Sequence, residues 1–237
     1  MSSPILIPKL LRVHGAWHRK GMWTRLIGRV HEAAAQFGSE CDSVTVVGSC
    51  SHEPTWYLYD DAAPIRAAVD EIDGPVVVMA HSYGGAPTSR ALVNAANVRR
   101  IIYLCAFQLD AGESMESALG GRPYFWGVTD GGYYNMLDAE KIFYSDLPPE
   151  AAAEAAAMLG PHSEAAMSHP LTQAAWHSID STYIFADNDV HPEAFTGFAK
   201  RSKRIGHISS AHSPFLSMPK ELAQIALDEL DEVARRE

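Results

Sequence analysis

The sequence predicts an α/β chain: a mostly parallel sheet of about six strands, helices on both faces, and a helical cap inserted between two strands. Three observations carry this. Short apolar, β-branched runs alternate with helical segments through the N-terminal part, the rhythm of a parallel sheet with crossover helices. Val76-Val77-Val78-Met79 runs directly into a tight turn and a helical segment. From about Phe107 to Ser178 the alternation stops, and it resumes with the apolar run Thr182–Ala186.

The elements follow in order. Ile5 to Val13 reads as the first strand, interrupted by Pro8. Gly21 to Phe37 is helical, with Trp23, Leu26, Ile27 and Val30 on one face. Val44 to Val47 is a short strand. Asp60 and Asp61 open a helix running to about Ile72, acids in its first turn as the helix dipole favours. Strand 76–79 comes next, then a turn and a helix to about Ala96, then a strand at Ile101–Cys105. Within the break, Pro148-Pro149-Glu150 starts a helix through Ala151–Leu159, and Gly160-Pro161 stops it. The expected division is residues 1–106 and 179–237 as the core, with 107–178 as the inserted cap. Ala211-His212-Ser213-Pro214-Phe215 precedes the last helical segment.

Bulk properties narrow the function. The 237 residues suffice for one domain with a sizeable core, at 47% hydrophobic and 20% charged. A net charge of −10 with scattered Lys and Arg argues against a nucleic-acid partner. No apolar run approaches the length of a membrane span, and Met1-Ser2-Ser3-Pro4 lacks a basic, apolar leader, so no membrane partner and a cytoplasmic location are expected. The three cysteines, Cys41, Cys50 and Cys105, lack metal spacing and suit a reducing compartment. Metal-binding and nucleotide-binding motifs are missing, so no cofactor or metal is expected. A homodimer is compatible with all of this.

The chemistry concentrates at residues 80–84. Ala80-His81-Ser82-Tyr83-Gly84 is a G-x-S-x-G pattern with Ala in first place, set between a strand and a helix. Such a turn strains the serine and lifts its Oγ above the sheet. Small residues on either side let strand and helix backbones approach, and the helix start offers N–H groups to a developing anion. A serine hydroxyl needs a base to take its proton, and on this pattern an acid and a histidine follow it in the chain. Asp187 and Asp189 lie after the strand at Thr182–Ala186, and His207 and His212 lie beyond them. His14-Gly15-Ala16-Trp17 ends the first strand, where a loop amide can serve as a second oxyanion donor beside the amide after the serine.

With these residues in view, the chain resembles the α/β-hydrolase superfamily. It is most similar to the small cofactor-free branch with H-G-A-W, a [GA]-H-S-x-G-G turn and a terminal H-S-P-F. That branch includes bacterial esterases and resembles plant methyl esterases and hydroxynitrile lyases. Val98–Leu104, Ser181–Phe185 and His212–Pro219 carry the likeness along the chain. Two departures are the Ala80 position and the Gly48–Pro54 loop, where relatives usually carry a D-L-P-G-H-G type turn. The two leading antiparallel strands of larger relatives are expected to be absent.

The resemblance implies a Ser82–His212–Asp189 triad, choosing Asp189 over Asp187 and His212 over His207. It implies an oxyanion hole from the Ala16 and Tyr83 amides. Trp17, His81, Phe107, Trp126 and Tyr133 are expected to bind substrate. The expected function is cleavage of a small-molecule carboxylic ester or lactone through an acyl-enzyme. The alternatives are a lyase, such as a hydroxynitrile lyase, or a slow-turnover ligand-binding protein. Those lyases carry Thr at the position of Gly15 and Lys after the catalytic histidine, where this chain has Ser213.

Overall fold

The computed structural model describes residues 8–36, 44–47 and 56–236. Ile5–Ile7 of the expected first strand, Met1–Pro4, Cys41, Cys50 and the Gly48–Pro54 loop lie outside the described residues.

Among the described residues the core runs β1 (Lys9–Val13), α1 (Thr24–Gln36), β2 (Val44–Val47), α2 (Leu58–Asp70), β3 (Val76–His81), α3 (Gly85–Ala91) and β4 (Val98–Leu104). An insert follows: α4 (Met115–Ala118), β5 (Trp126–Val128), β6 (Tyr133–Met136), α5 (Ala139–Phe143), α6 (Pro149–Ala157), β7 (His162–Ser163) and α7 (Glu164–Ser168). The core resumes with β8 (Ser181–Ala186), α8 (Glu193–Ala199), β9 (Arg204–Ile208), α9 (Pro214–Ser217) and α10 (Pro219–Ala234).

The six core strands form one sheet in the order β2-β1-β3-β4-β8-β9, each pair parallel. Every residue of β3 is buried, and β4 is buried except at Arg99. A parallel sheet covered on both faces requires such continuous apolar runs. The strand order reverses direction between β1 and β3. Right-handed crossovers on either side of that reversal place α1 and α3 on opposite faces. α1 packs against α10, and α2 packs against α3. The crevice outside the carboxyl ends of β1 and β3 is therefore the switch point, where open α/β sheets bind ligands. The register Lys9↔Val76 to Val13↔Ala80 brings the loop after β1 beside the turn after β3.

Several bounds differ from the sequence expectation for physical reasons. The helix after the Ser82 turn ends at Ala91 rather than about Ala96, because Asn94 adopts the left-handed region at φ 59°. The sixth strand, Arg204–Ile208, lies at the sheet edge with Ile205 half exposed, so it lacks a buried strand's apolar run. The insert contains a three-stranded antiparallel sheet, β5-β6-β7, besides its short helices. Two clamps fasten the insert to the core. Arg201 makes a bidentate pair with Glu113, at 2.6 Å on both oxygens, and donates to the Gln108 carbonyl. The Gly160 amide donates to the Trp17 carbonyl at 2.9 Å, so the residue that stops α6 also holds the loop after β1.

Candidate active site

Ser82 sits at the end of β3 with φ 53°, a left-handed conformation costly for a residue with a side chain. The surroundings enforce it. The Phe107 amide donates to the Ser82 carbonyl at 3.0 Å. Gly84 allows the close approach of the neighbouring loop, since a Cβ there would lie 2.5 Å from the His14 carbonyl oxygen. Gly15 is equally constrained, because its Cβ would lie 2.8 Å from the Ser82 Cβ. The first position of the turn tolerates Ala80, which is wholly buried within β3.

His212 comes from the loop between β9 and α9, and Asp189 from the loop after β8. His212 Nδ1 lies 2.6 Å from Asp189 Oδ2, with both side chains buried. The other Asp189 oxygen accepts from the His191 amide at 3.1 Å. Burial by itself would push the Asp189 carboxyl up, but the neighbouring His212 imidazole and the hydrogen bonds from His212 and His191 together hold it below the usual carboxylate range. An ionised Asp189 accepts only, so Nδ1 is the donor and carries the proton. Nε2 is then free to accept. It is buried and has no hydrogen-bond partner among the described residues.

Ser82, Asp189 and His212 line one cavity of about 50 Å³. Its walls are almost wholly apolar and include Trp17, Phe107 and Trp126, three of the residues expected to bind substrate. His81 and Tyr133, also expected there, do not line it. His81 is fully buried beside the cavity, and its Nε2 donates to the His212 carbonyl at 2.8 Å. Tyr133 lies on the face of β6 opposite to Tyr134, since strand side chains alternate. Tyr134 is the buried one, and its hydroxyl donates to Glu116 and Glu164. Ala16 is buried in the loop after β1, and its carbonyl accepts from His18 Nδ1. Tyr83 directly follows Ser82, with its hydroxyl donating to Asp61 at 2.8 Å.

The rival pair is elsewhere. Asp187 Oδ1 meets His207 Nδ1 at 2.7 Å, with both side chains well exposed. Several wall residues escaped the sequence reading, among them the ring-bearing Phe125, Phe143, His191 and Phe195. Phe143 and Phe195 stack on the His212 imidazole at centroid distances of 5.2 and 5.7 Å. Phe143 belongs to a five-residue helix, too short to show periodicity. Asp146 was also missed; its carboxylate accepts from the Ala211 amide at 2.8 Å and steadies the strand-to-helix loop that carries His212.

Two further histidines pack under the site in neutral form. Burial, followed by the nearby His212, pushes His81 well below the ordinary histidine value. Burial also lowers His18 to about 3, against the Ala16 carbonyl that favours its charged form. His18 Nδ1 donates to that carbonyl, and its Nε2 accepts from the Tyr144 hydroxyl at 3.2 Å, a neutral tautomer's pattern.

Comparison with known proteins places the chain in a family and agrees with its fold. Residues 12–225 match the model of the alpha/beta hydrolase family. The chain is 30% identical over 237 aligned positions to the alpha/beta hydrolase nvfD of Aspergillus novofumigatus, covering 91% of this chain and 93% of that one. Among solved structures, the pyrethroid hydrolase PytH superposes with a TM-score of 0.76 at 18% identity, covering 97% and 99% of the two chains. The methylesterase MES16 from Arabidopsis superposes with a TM-score of 0.73 at 19% identity, covering 95% and 99%. A serine at the strand–helix turn, a histidine before the terminal helices and a family match over most of its length identify the chain as a member of the alpha/beta hydrolase family.

Proposed function

We propose that the chain is a serine hydrolase that cleaves a small-molecule carboxylic ester or lactone through an acyl-enzyme. One observation carries the reading. His212 is held through Nδ1 by buried Asp189, while its Nε2 is unpartnered in the described structure and shares a cavity with the strained Ser82. In this reading Ser82 Oγ attacks the substrate carbonyl and its proton passes to His212 Nε2. The imidazolium formed is stabilised by Asp189, and the amides of Ala16 and Tyr83 hold the oxyanion. His212 then returns the proton to the leaving alkoxide. Water deprotonated by His212 attacks the acyl-Ser82 ester, releasing the carboxylic acid and restoring the serine. The insert, in the role of a cap, excludes bulk water from these steps.

Esterase names among the structural neighbours support ester chemistry, since PytH is described as a pyrethroid hydrolase and MES16 as a methylesterase. Packing around the serine disfavours the lyase alternative. A side chain at residue 15 would collide with the Ser82 Cβ. Ser213, next to the base, is buried and uncharged. The test is hydrolysis of a panel of p-nitrophenyl esters and lactones by the wild type and by Ser82→Ala. Turnover that Ser82→Ala abolishes supports the proposal, and turnover that survives it refutes the proposal.

A further inference from the structure

The triad cavity is too small for most esters. A single water needs on the order of 10–15 Å³ of such space, and drug-sized ligands occupy clefts of roughly 300–1,000 Å³. The cavity's 50 Å³ holds a carbonyl and a small substituent. A second hollow of about 420 Å³ lies directly outside it, and the two share Leu119, Phe125, His191 and Ala194 as lining. Its other walls include Pro123 and Tyr124, the latter 67% exposed, with Arg122 and Glu193 among its charged lining residues.

The shared wall has a specific build. The His191 and Phe125 rings stack at 5.5 Å, 21° from parallel, and Tyr124 meets Phe125 edge-on at 5.2 Å. His191 Nδ1 faces Glu193 Oε1 at 3.4 Å, while its Nε2 is buried with no partner among the described residues. A polar atom buried without a partner is costly and needs an explanation. The same residue's amide holds the Asp189 carboxylate, so the wall and the triad are joined through one residue.

We propose that the two hollows are one substrate site, divided by Phe125 and His191. The inference rests on the ester-hydrolase reading above. The scissile carbonyl and the small half of the ester occupy the inner cavity. The larger half, an aromatic or fused-ring group, lies against Tyr124, Phe125 and the His191 ring in the outer hollow. His191 is thus a specificity-determining residue that takes no part in proton transfer.

Three esters followed by pH-stat titration test this. Ethyl acetate carries no ring to place in the outer hollow. Ethyl 2-naphthylacetate and 2-naphthylmethyl acetate carry a ring system on the acyl and alcohol side respectively. The wild type is expected to prefer one ring-bearing ester over ethyl acetate by about tenfold or more in kcat/KM. Glu193→Trp, placed on the open side of the outer hollow, is expected to erase that preference. His191→Leu, which removes the ring stacked on Phe125, is expected to raise KM for the preferred ring-bearing ester about tenfold with little change in kcat, and His191→Phe, which keeps a ring, to restore it. Absence of a ring preference, or a preference that both Glu193→Trp and His191→Leu leave intact, overturns the proposal while the hydrolase reading stands. Failure of the wild type to cleave these esters while it turns over the p-nitrophenyl panel overturns this proposal alone, and failure on both removes the hydrolase reading with it.

Discussion

The side chain of His81 holds the backbone of His212. Its Nε2 donates to the His212 carbonyl at 2.8 Å, from a fully buried ring whose centroid is 4.8 Å from that of the His212 imidazole. The residue before the nucleophile and the peptide of the proposed base are thereby joined across 131 positions of chain. His81 touches no reacting atom in the proposed mechanism and acts as a positioning residue.

His81→Leu removes this bond. Misplacement of a catalytic group by about 1 Å can cost around 100-fold in rate, and a loss of about 10- to 100-fold in kcat is expected here, with KM nearly constant. His81→Gln, which keeps a donor, is expected to recover much of the loss. A structural role alone would lower the amount of folded enzyme equally in both variants, which active-site titration detects.

Asp189→Asn is expected to lower kcat by roughly 10³- to 10⁴-fold, the scale seen when a triad histidine is left in the wrong tautomer. Asp187→Asn is expected to have little effect, because Asp187 pairs with exposed His207 away from the cavity. Steady-state kinetics on one aryl ester compares the two. Equal losses would mean that the acid has been assigned to the wrong carboxylate.

Gly15→Ala places a Cβ 2.8 Å from the Ser82 Cβ and 3.0 Å from His81 Nδ1. Backbone must shift to relieve this, at about 1–3 kcal/mol for overpacking. A lowered thermal midpoint and a loss of at least about tenfold in kcat are expected together. A variant with wild-type kcat would show that the loop after β1 does not need its present closeness to Ser82.

Acid weakens the fold through buried histidines. His18 binds a proton in the folded protein only near pH 3, whereas the unfolded chain binds one near 6.5. The unfolded state therefore holds more protons between these values, and stability falls as pH drops from 6.5 toward 3. At pH 5 the cost from His18 is about 2 kcal/mol, at 1.36 kcal/mol per pH unit. Urea denaturation at pH 7 and pH 5 measures it, and His18→Gln is expected to flatten the slope. An unchanged slope in that variant would mean His18 is not the group being protonated.

The proposed triad was legible because each member sits in its own short chain signal. Ser82 follows an apolar strand, Asp187 and Asp189 both follow another, and His212 precedes a Pro-started helix; the resemblance, not the strand signal, chose Asp189 over Asp187. The parallel core was legible for the same reason, as β3 and β4 are continuous apolar runs. The cavity wall was not. Phe125, Phe143 and the His191–Phe195 turn come from three separate segments, and only tertiary packing brings their rings together. The β5–β7 sheet was hidden because strands of two to four residues show no period. At Tyr133 the sequence offered two adjacent tyrosines and no way to tell which faces inward; the pairing of β6 with β5 and β7 turns Tyr134 in. His81 was placed at the pocket by its nearness in sequence to Ser82, but the strand's alternation turns it beneath the site.

The claim that Ser82 is an activated nucleophile is tested most directly by a fluorophosphonate probe followed by mass spectrometry of the labelled peptide. The expected result is one adduct, on Ser82, which His212→Ala reduces by orders of magnitude and Ser82→Ala abolishes. Ester turnover that persists in Ser82→Ala, or an adduct on any other serine, would contradict it.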